Sequence, residues 1–233
     1  FSQDGSEIWL ADGECNLQIV DAATGKVTVK PLEEGENRAY DYISADGLLS
    51  YVVSGFTQDW EPQAQVKTLR QDTGERAIYE LPALTQEEES IFYGIAGQWG
   101  QYLWLLDSTG KFLELDLTTG QYRVLKEEMT AIPAVSVKED GTSVAVTDLE
   151  QVLLLTPGAE GMKTISMEED ALAGSVYFHG EDLLVICDDG NLYHYDTAGN
   201  LLSRTELDVG DTFSQGVLNV AEATQANISW TVT

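Results

Sequence analysis

Positive charge is what this 233-residue chain most lacks: 12 Lys and Arg stand against 40 Asp and Glu, a net charge of −28. Phosphate contacts need clustered cations, so the sequence argues against nucleic-acid binding and disfavours anionic membrane surfaces. Histidine is almost missing, and a Ser-His-Asp site would have to use His179 or His194. His194 lies within Leu192-Tyr-His-Tyr-Asp196, where alternation marks a strand residue facing a sheet neighbour. The chain has two cysteines. Cys187 closes the apolar run Leu183–Cys187 and reads as a small core residue, while Cys15 falls at a hairpin turn. A disulfide between them requires the first and fifth repeats to be neighbours, which spacing alone leaves open. No apolar run approaches the roughly 18–20 residues that span a bilayer, so no membrane insertion by this chain is expected.

Recognisable catalytic signatures are equally scarce. Walker loops, a Gly-x-Gly-x-x-Gly turn, zinc spacing and a Gly-x-Ser-x-Gly elbow are all missing. Asp188-Asp189-Gly190-Asn191 offers oxygen ligands without EF-hand spacing and reads as a solvated hairpin turn, so no metal and no cofactor is expected. The chain opens on Phe1-Ser-Gln-Asp-Gly5 without an initiating Met, which reads as the end of a strand in a domain excised from a longer protein.

What the chain does contain is a repeat. Leu17-Gln-Ile-Val-Asp21-Ala-Ala-Thr24-Gly25-Lys26 and Leu113-Glu-Leu-Asp116-Leu-Thr-Thr119-Gly120-Gln121 share an apolar run, an Asp, a Thr-Gly turn and a second run. Looser copies are Leu69-Arg-Gln-Asp72-Thr73-Gly74 and Tyr193-His-Tyr-Asp196-Thr-Ala-Gly199, with a worn one at Gly161. Successive turn glycines are 49, 46, 41 and 38 residues apart. Short alternating strands at a period near 40–45 residues are the mark of β-propeller blades.

The chain is therefore expected to be all-β, a propeller of four-stranded antiparallel blades over about 1–32, 38–82, 89–126, 132–167 and 173–207. Residues 212–233 would add a strand pair. This pair is either half of a sixth blade, in an excerpt of a seven-bladed ring, or the source of the inner strand that the first blade lacks. The whole of 1–233 reads as one domain, monomeric as such. Asp4-Gly5, Asp46-Gly47, Asp140-Gly141 and Glu181-Asp182 fall at equivalent turns between first and second strands. Leu84–Glu89 could form at most one helical turn. Trp9, Trp104 and Tyr51 read as core.

Phe-Ser-x-Asp-Gly at Phe1–Gly5 and Asp-x-x-Thr-Gly at Asp21–Gly25 resemble bacterial WD40-like and YVTN or PQQ-like propellers, over essentially the whole chain. The resemblance implies an architecture. The Gly-His and Trp-Asp dipeptides of WD40 blades are absent, so no residue role carries over.

The acidity is not evenly spread. Connections from a fourth strand to the next first strand hold Glu33, Glu34, Glu36, Glu87–Glu89, Glu127, Glu128, Glu168–Asp170, Glu206, Asp208 and Asp211, fourteen of the 40 acids. Turns between second and third strands, which emerge at the same end, add Asp12, Glu14, Asp107, Asp148, Glu150, Asp188 and Asp189. Lys26, Lys30, Arg76, Lys111, Arg123 and Arg204 are assigned to the third-to-fourth hairpins and the fourth strands. On the acidic end an insertion, Gly55–Pro62, carries Phe56 and Trp60. The expected binding residues are Phe56, Asp59, Trp60, Glu61, Glu87, Glu88, Glu89, Glu168, Glu169, Asp188 and Asp189.

The expected role is a non-catalytic interaction or sensing module, docking a basic protein or a small ligand on its acidic face. Alternatives are a carbohydrate-active enzyme using channel carboxylates such as Asp41, Glu139 and Glu181, and a structural spacer. Composition leans toward an extracytoplasmic bacterial setting, with a cytoplasmic signalling protein as the alternative.

Overall fold

The computed structural model describes residues 5–11, 16–31, 39–45, 47–57, 59–169 and 171–207. Among these, nineteen strands form five antiparallel sheets, and no helix occurs. The first sheet holds β1 (Glu7–Ala11), β2 (Asn16–Asp21) and β3 (Val27–Pro31). The second holds β4 (Ala39–Ala45), β5 (Leu48–Phe56), β6 (Pro62–Arg70) and β7 (Arg76–Glu80). Strands β8 (Tyr93–Trp99), β9 (Tyr102–Asp107), β10 (Phe112–Asp116) and β11 (Tyr122–Lys126) make the third. The fourth comprises β12 (Val135–Val137), β13 (Val144–Asp148), β14 (Gln151–Leu155) and β15 (Met162–Ser166). In the fifth are β16 (Ala173–His179), β17 (Asp182–Cys187), β18 (Asn191–Tyr195) and β19 (Leu201–Glu206). Every sheet is a meander whose hydrogen-bonded neighbours are consecutive in sequence. The expected strand pair in 212–233 lies outside the described residues, as does Cys15; Cys187 is a free, buried thiol.

The repeat turns explain the meander. Gly25, Gly74, Gly120, Gly161 and Gly199 each sit before the last strand of their sheet, with φ of 69°, 70°, 73°, 90° and 89°. In the first turn, Asp21 Oδ1 accepts from the Ala23 and Thr24 amides and from Thr24 Oγ1, while its peptide carbonyl accepts from the Gly25 amide. Asp116 repeats the motif with the Thr118 and Gly120 amides. These bonds, led by the Thr24 hydroxyl, hold Asp21 below the usual carboxylate range. Glycine is favoured at Gly120 by its left-handed φ, which costs other residues roughly 1–2 kcal/mol. In the second sheet the residue equivalent to Asp21 is Arg70, whose carbonyl accepts from the Gly74 amide, so Asp72 sits two places further into the turn. In the fifth sheet the left-handed residue of the first-to-second turn is Gly180, one place before Glu181-Asp182.

Two compact units, 1–129 and 130–233, divide the chain between the third and fourth sheets. In the first unit, Trp9, Leu17, Leu49, Tyr51, Val53 and Leu69 form one cluster; Val52, Val66, Leu81, Tyr93, Leu103, Leu105, Leu113 and Leu115 are among the members of a second. Full burial of each such side chain stabilises by roughly 1.5–3 kcal/mol. Trp104, wholly buried, donates its indole N–H to Glu114 at 3.1 Å, and Arg123 pairs with the same carboxylate at 2.7 Å. Neighbouring sheets are tied by Ile95 N–H to Asp41 Oδ2 at 2.7 Å and by the Tyr79 hydroxyl to the Leu117 carbonyl. Asp41 is thus engaged by backbone, so it is not a free channel carboxylate.

The second unit repeats these devices. Val152, Ile165, Val176, Leu183, Val185, Cys187 and Tyr193 belong to its core. Lys163 donates to the Thr197 carbonyl, the counterpart of Tyr79 and Leu117. Lys138 bridges Asp140 at 3.3 Å and Glu181 at 2.7 Å, joining two first-to-second turns.

Two local expectations, for Gly55–Pro62 and Lys111, are corrected, and that for Leu84–Glu89 is made specific. The insertion Gly55–Pro62 begins and ends in strand: β5 and β6 each run nine residues and pair out to Phe56↔Pro62, leaving a loop of 57–61. Leu84–Glu89 is not helical, because Leu84 and Ser90 pair as an antiparallel bridge around a tight turn. Lys111 precedes β10 in a second-to-third hairpin, pairing with Glu127 at 3.5 Å at the acidic end.

Candidate functional site

In a meander, the hairpin joining second and third strands and the segment leaving the fourth strand emerge at the same end of the sheet. In the second sheet these are the loops 57–61 and 85–89, and they share a set of hydrogen bonds. Thr57 N–H donates to the Glu61 carbonyl at 2.8 Å, and Thr85 N–H to the Glu89 carbonyl at 2.8 Å. The Trp60 and Glu88 amides donate to the Thr57 and Thr85 carbonyls at 3.0 and 3.1 Å. The hydroxyls of Thr57 and Thr85 accept from the Glu61 and Glu89 amides, each at 3.1 Å. The fourth residue of each loop, Trp60 and Glu88, has φ of 64°.

Sequence reading missed this pairing, although its signal is present. Thr57-Gln-Asp-Trp-Glu61 and Thr85-Gln-Glu-Glu-Glu89 are two copies of Thr-Gln-acid-x-Glu, 28 residues apart. The Thr is needed as both backbone anchor and hydroxyl acceptor, in the manner of an ST turn. A left-handed Trp is costly, since its bulky Cβ crowds the following carbonyl. The side chain so displayed is 81% exposed, and its ring lies 6.1 Å from that of Phe56, itself 47% exposed. Asp59, Glu61 and Glu87–Glu89 are exposed around these rings. Among the described residues their carboxylates accept no hydrogen bond and form no ion pair. Leu84 and Phe92, also exposed, belong to the same end.

The β5–β6 hairpin exceeds the corresponding strands of the other sheets, which run five or six residues. Three extra residues carry its tip about 10 Å further out.

In the second unit, Glu168 and Glu169 line a groove of about 740 Å³ together with Glu150, Gln151, Leu149 and Met167. Asp148, at its floor, is held by the fold: Oδ1 accepts from the Thr130 amide at 2.7 Å and the Thr130 hydroxyl at 2.5 Å, and Oδ2 from Gln151. Asp188 and Asp189 are similarly engaged. Asp188 Oδ1 accepts from the Leu172 amide at 2.9 Å. Asp189 Oδ2 takes Tyr193 Oη at 2.6 Å, Asn191 Nδ2 at 2.7 Å and Arg204 at 3.3 Å. Burial pushes Asp189 upward, but these hydrogen bonds and the guanidinium outweigh it and leave the carboxyl below its ordinary range. His194 Nε2 lies 3.0 Å from Asp182 Oδ2, with the His179 ring edge-on at 6.5 Å. Among the described residues no group of three or more His, Cys, Asp or Glu could hold a metal.

The sheets match those of solved structures. The chain superposes on YCF48 bound to D1 peptide with a TM-score of 0.59 at 10% identity, over 88% of this chain and 67% of that one. It has the β-propeller fold. The Myceliophteria thermophila Cps50 (Swd1) β-propeller domain gives 0.58 at 15% identity, covering 88% and 70%. A chain of the Mitotic Checkpoint Complex gives 0.63 at 12% identity, covering 91% and 64%. The chain thus spans about two thirds of the length of these structures. No family model matches it, and no curated protein does. Each four-stranded sheet is accordingly a blade, with the twin turns at the second blade.

Proposed function

We propose that this propeller is a non-catalytic docking module, and that it binds a protein partner at the end of the second blade where Phe56, Trp60 and the two Thr-Gln turns emerge. The observation that carries this reading is the Trp60 side chain, held in a left-handed conformation and 81% exposed. A large apolar group kept in solvent at a backbone cost, on a turn that glycine would suit better, is best accounted for by a contact made outside the chain. The exposed carboxylates around it would steer a cationic partner. YCF48, of the same fold, is bound to a peptide. Asp188 and Asp189 are committed to hydrogen bonds within the fifth blade, and Glu168 and Glu169 line the groove of the fourth. The whole of 1–233 is taken as one propeller domain.

Capture from the source organism's extract tests this, using the wild type and a Phe56→Ala, Trp60→Ala, Glu87→Lys variant of unchanged melting temperature. A partner identified with the wild type, lost with the variant and rebound when purified supports docking at this end. Equal retention by both moves the site elsewhere on the propeller.

A further inference from the structure

The twin turns differ at one position that matters. Within the hydrogen bonds the two turns share, the left-handed corner is Trp60 in one and Glu88 in the other. One corner therefore offers an aromatic face backed by Phe56 and flanked by Asp59 and Glu61, and the other offers three consecutive carboxylates, Glu87–Glu89. Both stand at one end of one blade. Resting on the docking reading above, we infer that the twin turns together recognise an arginine-bearing segment of the partner, one guanidinium stacking on Trp60 and another pairing with Glu87–Glu89.

Charge complementarity selects a cation: the exposed acids here are unpaired among the described residues, in a chain with 12 basic residues to 40 acidic ones. Arginine is selected over lysine by both corners. A guanidinium is planar and weakly hydrated, so it stacks on an indole and engages a carboxylate through two parallel N–H···O bonds; an ammonium does neither as well. At the left-handed corner the indole stays 81% exposed although it neighbours Phe56, leaving surface for an incoming group.

Because a chain of charge −28 attracts any polycation, the test depends on a variant that leaves charge unchanged. The probe is an acetylated nonapeptide alternating Arg and Ser, with its Lys analogue, titrated into the full chain by calorimetry at physiological salt. Trp60→Ala should weaken the arginine peptide about 5- to 10-fold, and Trp60→Phe should restore part of that loss. Glu87→Gln, Glu88→Gln and Glu89→Gln combined should weaken it at least about 10-fold. A control with equal charge removed at the opposite ends of blades, Glu75→Gln, Glu139→Gln and Glu160→Gln, should cost about twofold or less. The Lys peptide should bind several-fold more weakly than the Arg peptide. Equal losses in the two triple variants, or indifference to Trp60→Ala, would overturn the inference in favour of general polyelectrolyte attraction. Absence of binding up to about 1 mM would overturn it as well, while a captured partner that depends on Trp60 would leave the docking role standing.

Discussion

Carboxylates at the hairpins before the last strand of a sheet and carboxylates at the twin turns are the same chemical group on one fold, with opposite fates. Asp21, Asp116 and Asp196 turn back on their own hairpins and accept backbone amides. Asp59 and Glu87–Glu89 sit in turns whose backbone is already satisfied by a threonine, so their side chains are left over. The difference teaches that acid count says little about a surface: what matters is whether the local turn needs an acceptor. Asp and Asn at a turn opening are consumed by it, whereas Glu, with its longer stem, is poorly placed to reach the nearby amides.

The comparison can be broken most severely at Glu114, the acid most deeply committed to the fold. Glu114→Ala strips Arg123 and Trp104 of a shared buried acceptor and should destabilise by about 3 kcal/mol, read from urea midpoints. Next comes Asp148→Asn, which sets an amide against the Gln151 donor at a site 1% exposed; a loss of about 2 kcal/mol is expected, against near zero for Glu88→Gln. A loss in Glu88→Gln matching that in Asp148→Asn would erase the distinction between fold-bound and outward acids.

Smaller in size but sharper in sign is Trp60→Gly. Relief of the left-handed corner should raise stability by about 1 kcal/mol, and Glu88→Gly should gain a similar amount, because both corners have φ of 64°. Only the first should remove the aromatic anchor. Stability gained together with partner binding lost would show strain retained for function.

The acid limb of stability separates the groups again. Asp21 and Asp196 titrate below the ordinary range in the fold, so each contributes stability that is present above about pH 4 and is lost as pH falls through its folded pKa. Replacing either by Asn should flatten the wild-type decline below pH 4 relative to neutral pH, measured by denaturant midpoints across pH 2–6. The smallest effect concerns Cys187, whose thiol is pushed up to about 12 by burial and by the neighbouring Asp189 and Asp188. It should resist thiol reagents until the chain is unfolded.

Sequence by itself determined the architecture, since a turn glycine at each repeat and alternation at period two leave few arrangements for an antiparallel chain. Trp9, Trp104 and Tyr51 were legible as core for the same reason. Strand limits at the second blade were not, because Gly55 and Pro62 read as breakers while the pairing runs between Phe56 and Pro62 at a hairpin edge that tolerates both. Which acids are free was also hidden: Asp189 and Glu87 look alike along the chain, and only the fold brings Tyr193 and Arg204 to the first. The twin turns lie between these cases. Their Thr-Gln-acid-x-Glu repeat is written in the sequence, but that both emerge at one end of one blade follows from the meander, in which alternate strands return the chain to the same end.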